Sequence, residues 1–179
     1  MAVLGAEVVF VTGPATVPPP EGVEVIRVET AREMLAAVEA ALPVEAAVFA
    51  AAVADWRVAQ ESGRKMKKSG GTLPVLEFAE NPDILATVSR MEAGRPRLVV
   101  GFAAETHDVV EHATAKRARK GCDWILANDV SAGTGIMGGT ENAVTLITAE
   151  GVEPWTRMGK TEVAARLAER IARALARGI

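Results

Sequence analysis

Asp55 closes an uninterrupted small-apolar run, Phe49-Ala-Ala-Ala-Val-Ala, and a short polar stretch later comes Arg64-Lys65-Met66-Lys67-Lys68-Ser69-Gly70-Gly71. These residue types suggest one chemistry. A carboxylate at a strand tip and a cationic, glycine-bounded loop in the same connection suit the holding of a polyphosphate and its metal ion. The plainer readings are a turn residue for Asp55 and a solvated loop for Lys65, Lys67 and Lys68. Lys116 and Lys120 are spaced to share one helix face. They are either last-turn cations favoured by the helix dipole or a pair that reaches a triphosphate.

The elements that must position these groups follow from periodicity and punctuation. Glu7–Thr12 and Leu98–Ala103 read as buried strands, Val23–Val28 as an alternating one, and Ala46–Val53 as a third strand buried on both faces. Met1–Gly5 is too short for an element. The prolines Pro18 to Pro20 make a stiff loop that cannot join a ladder. Thr30 and Glu33 have the spacing of a capping box, and the helix they open stops at Pro43. Leu73–Phe78 is a short extended segment. Asn81-Pro82-Asp83 starts a second helix, with Asn81 as N-cap, Pro82 at the first helical position and Asp83 in the first turn. Its free backbone N–H groups would favour an anion. Thr106 or Asp108 caps a helix that Gly121 ends.

Asp123–Ala127 is the next strand, tipped by Asn128-Asp129, and Ser131–Thr140 is a glycine-rich loop. Ala143–Thr148 and Val152–Arg157 make a hairpin about Glu150-Gly151, and a last helix starts near Lys160 with Val163, Leu167, Ile171 and Leu175 on one face. Strands alternating with helices predict an α/β fold with a largely parallel sheet, helices on both faces and an antiparallel hairpin extension. Ligands of such sheets sit at the carboxyl ends of the strands. Here those tips are Thr12-Gly13, Ala54-Asp55, Phe102-Ala103 and Asn128-Asp129.

The bulk numbers set bounds. A chain of 179 residues can bury a proper core as a single domain. The net charge of −3 argues against general nucleic-acid binding. Cys122 is the sole cysteine, so an internal disulfide and a cysteine zinc cluster are excluded. No uncharged apolar run approaches the ~18 residues of a membrane span, and the N-terminus lacks a signal peptide's basic region. A cytoplasmic protein is expected. Two motif matches are set aside. Gly133-x-Gly135-x-x-Gly138 precedes a strand pattern, so no helix is there to receive a dinucleotide. Gly159-Lys160-Thr161 ends like a phosphate loop, but Pro154 stands where its first glycine belongs. His107 and His112 read as too isolated for a metal site.

AAVADW (51–56), KMKKSG (65–70), NPDIL (81–85), VGFAAET (100–106), KRARKG (116–121) and ANDVS (127–131) occur in one order and spacing. Together they resemble the phosphopantothenoylcysteine synthetase family, the ligase half of the bacterial bifunctional coenzyme A enzyme. The resemblance implies a Rossmann-like fold and a CTP-dependent ligase. CTP activates the carboxylate of 4′-phosphopantothenate as an acyl-cytidylate with loss of pyrophosphate. The amine of cysteine then displaces CMP to form an amide, and Mg²⁺ accompanies the triphosphate. By motif position, Asp55 holds the nucleotide and Lys65 serves the activation step, with Lys67 and Lys68 in the same mobile flap. Asn81, Pro82, Asp83, Ile84 and Phe102 line the nucleotide pocket, with Phe102 near the cytosine. Lys116 and Lys120 reach the nucleotide, and Ala52 allows close backbone approach.

The family pattern begins with a further strand and an Asn-x-Ser-Ser-Gly-x-Met-Gly loop that this chain does not show. The decarboxylase half of the bifunctional enzyme is also outside it. The expectation is a domain truncated at its N-terminus, in which the first and third strands pair directly or leave a gap. A nucleotide-binding module without turnover is the alternative to a complete ligase, and a Rossmann-type oxidoreductase is disfavoured for want of a glycine fingerprint. A homodimer through the 143–157 hairpin and the 128–140 loop is implied. Bacterial relatives use CTP and eukaryotic ones can use ATP.

Overall fold

The structure is a computed structural model describing residues 1–60 and 75–178. Lys65, Lys67, Lys68 and the start of the expected Leu73–Phe78 segment lie outside the described residues. The chain enters through a 3-10 turn at Ala2–Leu4, an element the sequence reading left out. Then come β1 (Val9–Thr12), β2 (Glu24–Arg27), α1 (Ala31–Ala40), β3 (Ala46–Phe49), β4 (Trp56–Val58), β5 (Phe78–Glu80) and α2 (Ile84–Ser89). The second half runs β6 (Leu98–Glu105), α3 (Val109–Lys120), β7 (Trp124–Asp129), β8 (Glu141–Asn142), β9 (Val144–Ile147), β10 (Val152–Pro154), β11 (Met158–Gly159) and α4 (Lys160–Arg177).

The central sheet has five strands in the order β10-β9-β7-β6-β3. Its β3, β6 and β7 are parallel, and β9 and β10 extend it antiparallel as the hairpin pattern predicts. Side chains of β6 alternate between two cores. Leu98 and Val100 join Val163, Leu167 and Ile171 of α4 on one face. Val99 and Ala103 join Val88 of α2 and Ala113 of α3 on the other. Helices therefore cover both faces. Each fully buried Leu, Ile or Val here contributes about 1.5–3 kcal/mol. Gly101 in β6 makes room for α2: a Cβ there would meet Leu85 Cδ2 at 2.6 Å. Two local signals hold as read. Thr30 and Glu33 form the reciprocal capping box, and Gly121 ends α3 at φ 76°.

β3 corrects the expectation of a strand over Ala46–Val53. It stops at Phe49, opposite Gly101 of β6, and its residues are only part-buried. The reason is its place at the sheet edge, with a ladder on one side only. β1 and β2 form their own parallel pair, and among the described residues β1 shares no ladder with β3. Of direct pairing and a gap, the structure has the gap. The expected extended segment also shifts, since pairing with Trp56–Val58 falls on Phe78–Glu80.

Candidate functional site

The parallel strands end at Phe49, Glu105 and Asp129, and the polar residues following or ending them gather along that edge. Beyond β3, Ala51, Ala52, Ala54 and Asp55 are exposed in a loop. That loop is fastened from the far side of the β4–β5 arm. Asn81 donates its backbone N–H to the Asp55 carbonyl at 2.8 Å and its side-chain Nδ2 to the Ala54 carbonyl at 2.8 Å. Asn81 is thus not the N-cap expected from the sequence. Asp83 is, with its Oδ1 accepting the Ala86 N–H at 3.0 Å. The amide of Asn81 has donors that a free carbonyl at the loop can take, whereas the carboxylate of Asp83 only accepts and suits a helix N-terminus. Pro82 accordingly precedes the cap, and Ile84 begins α2 as a buried residue.

Asp83 carries a second partner. Its Oδ2 meets Lys120 Nζ from the last turn of α3. Partial burial pushes the Asp83 carboxyl upward, but the Lys120 hydrogen bond and then the Ala86 N–H outweigh it and hold it below the usual carboxylate range. One turn nearer the strand ends, Lys116 Nζ stands 4.0 Å from Glu105 Oε1. The two lysines share a helix face as their spacing predicts, and each is held by a carboxylate. Arg90 donates to the Arg119 carbonyl. Asp83, Ala86, Thr87, Arg90, Arg119 and Lys120 line an open groove of about 410 Å³. Three cations against one carboxylate make it anion-attracting. A second groove, between α1 and the β4–β5 arm, is bounded by Arg32, Glu39, Arg57 and Asn81.

The structure therefore joins Asp55 and Ala54 to Asn81, and Asp83 to Lys120, in one run of contacts. It does not bring Phe102 into that run. Phe102 packs with the α4-side core, across β6 from α2 and α3. Lys65 lies outside the described residues. Sequence reasoning missed Glu105, Arg90 and Arg119. Glu105 ends the VGFAAE strand and could have been found as the carboxylate nearest the Lys116 helix, Arg119 lies within the KRARKG motif without a role assigned to it, and Arg90 carries no local signal. It also set aside His107 and His112, whose ring centroids stand 4.7 Å apart. The Gly133–Gly138 loop leads into β8 and not a helix, as expected.

Residues 1–175 match the family described as DNA/pantothenate metabolism flavoprotein C-terminal domain. The chain is 39% identical over 168 residues to the coenzyme A biosynthesis bifunctional protein CoaBC of Haemophilus influenzae, covering 93% of this chain and 41% of that protein. It is 45% identical over 154 residues to the Vibrio cholerae protein of the same name, covering 84% and 38%. The chain thus spans about two fifths of the length of these curated relatives. Among solved structures it resembles the C-terminal domain of a coenzyme A biosynthesis bifunctional protein CoaBC, with a TM-score of 0.76 and 34% identity over 97% of this chain and 77% of that one.

Proposed function

The chain belongs to the family of DNA/pantothenate metabolism flavoprotein C-terminal domains, and we propose that it carries the nucleotide-binding part of a phosphopantothenate–cysteine ligase of coenzyme A biosynthesis. The observation that supports this reading is the continuous set of contacts from the Ala54-Asp55 loop through Asn81 to Asp83 and Lys120. In the proposed reaction a carboxylate oxygen of 4′-phosphopantothenate attacks the α-phosphorus of CTP, and pyrophosphate leaves. The cysteine amine then attacks the acyl carbon, and CMP leaves with the bonding electron pair. Negative charge gathers on the phosphates in the first step, where fixed cations lower the barrier.

Lys116 and Lys120 are pre-positioned for that task, because Glu105 and Asp83 already hold their ammonium groups. A triphosphate takes over or shares these partners. Lys65 is assigned the activation step by its motif position, and Asp55 the nucleotide. Among the described residues no group of three carboxylates converges. Mg²⁺ accompanying the triphosphate would supply neutralising charge there, and this chain's part is to hold the phosphates through Lys116 and Lys120. The gap between β1 and β3 favours a second reading, a nucleotide-binding module that does not turn over by itself. Dimerisation through the hairpin and the 128–140 loop, a cytoplasmic location and a decarboxylase domain in the parent protein belong to the same proposal.

Calorimetric titration with CTP and with ATP, each with Mg²⁺, tests the reading on the wild-type chain, Asp55→Ala and Lys65→Ala. Saturable CTP binding that both substitutions weaken is the expected result. Binding of NAD(P) in preference to CTP, or no nucleotide binding by the folded chain, overturns it.

A further inference from the structure

The carboxyl end of β6 runs into a turn that gathers ligating atoms the proposed ligase reaction does not use. His107, Asp108 and His112 each bring one ligand atom within 4.8 Å of the others, the only such group among the described residues. The imidazole rings meet edge to face. His112 Nδ1 stands 3.8 Å from Glu105 Oε2, so a second carboxylate borders the group. Spacing concealed this cluster, because positions five apart do not share a helix face. His107, however, precedes α3, and the backbone bends through a left-handed conformation at Asp108.

Asp108 is itself unusual. It is the only non-glycine residue at positive φ among the described residues, at 43°, in the left-handed region that aspartate enters more readily than most side chains. It occupies the N-cap position of α3, yet its side chain makes no cap hydrogen bond. The usual reason for an aspartate there is missing, and the carboxylate is left for another partner. His107 Nδ1 lies 3.1 Å from Thr106 Oγ1. An Nδ1–H donated to that hydroxyl leaves the Nε2 lone pair for a metal, the way outer partners orient ligating histidines.

We infer that this turn binds one divalent transition-metal ion of the zinc, cobalt or nickel kind through His107, Asp108 and His112, with Glu105 beside it. Two imidazoles and a carboxylate favour such ions over magnesium or calcium, which prefer all-oxygen shells. Tetrahedral zinc, with bonds of about 2.0–2.2 Å, needs ligand atoms about 3.4 Å apart. The present separations close to that by side-chain rotation, which the exposure of His107 and Asp108 permits. The positive end of α3 and Lys116, 4.0 Å from Glu105, oppose a cation here. The two carboxylates offset them.

Calorimetric titration of the untagged chain with zinc chloride tests the site, with cobalt absorption as a second readout of tetrahedral ligation. His107→Gln and His112→Gln keep size and polarity, and circular dichroism without metal checks that both variants fold. The expected result is one ion per chain, affinity at least tenfold lower in each variant, and a zinc-induced rise in Tm that both variants lose. Absence of saturable zinc binding overturns the inference, and so does zinc binding that both variants retain unchanged. Neither result bears on CTP binding, so this site and the proposed ligase fail independently.

Discussion

Replacing Asp83 separates a helix cap from an ion pair. Oδ1 accepts the Ala86 N–H while Oδ2 meets Lys120. Alanine removes both contacts, whereas asparagine keeps an oxygen for the cap and loses only the charge. A lost cap costs about 1 kcal/mol. The ion pair counts for less. The Asp83 side chain is 44% exposed and that of Lys120 19%, so solvent screens it to about 0.5 kcal/mol. Asp83→Ala is therefore expected to destabilise by about 1.5 kcal/mol and Asp83→Asn by about 0.5 kcal/mol. At about 3 °C per kcal/mol for a chain of this size, Tm falls by about 4–5 °C and 1–2 °C. Thermal melting at neutral pH, followed by circular dichroism, reads both. Equal losses for the two variants would refute the cap as the larger contribution. The pH dependence gives a second check. Burial raises the carboxyl's pKa, but Lys120 and the Ala86 N–H lower it further, and the net is below the ordinary value. A depressed folded pKa stabilises above the unfolded value of about 3.9, and that stabilisation is lost as pH falls through the folded pKa. The gap between wild type and Asp83→Asn is therefore present at neutral pH and closes below about pH 4.

In the proposed ligase, Lys120→Ala weakens CTP binding about tenfold, the loss of one charge-assisted contact less the pair it releases; unchanged calorimetric affinity removes Lys120 from the site. Gly101→Ala drives a Cβ to 2.6 Å from Leu85 Cδ2 and costs about 1–3 kcal/mol in urea unfolding. Adding Leu85→Ala relieves that clash, so a double variant whose losses simply add argues against it. Arg95→Ala removes the guanidinium that meets both oxygens of Asp123 at 3.0 Å. It should cost about 2 kcal/mol, with Asp123 still accepting the Val99 N–H, and a loss near zero would show that this N–H alone holds the β6–β7 start.

Thr30 with Glu33, Gly121 after α3 and the apolar stripe of α4 were legible because each is a local relation, settled between residues a turn or less apart. The buried run of β6 was legible because few other structures tolerate it. The candidate phosphate groups were legible as types at spacings: Lys116 and Lys120 on one face, Asn81-Pro82-Asp83 at a helix start. What each group touches was decided only by the tertiary structure. Asn81 gives its amide to Ala54 and leaves the cap to Asp83, a choice between carbonyl and N–H partners that the local sequence does not rank. β3 stops at Phe49 because its ladder to β6 stops there, a fact about a strand some fifty residues away. His107 and His112 meet across a left-handed bend at Asp108 that no helical period describes. Short-range hydrogen bonding and periodic burial are written along the chain. Strand pairing and the meeting of distant side chains depend on which surfaces the fold brings together, and they exist only once it has formed.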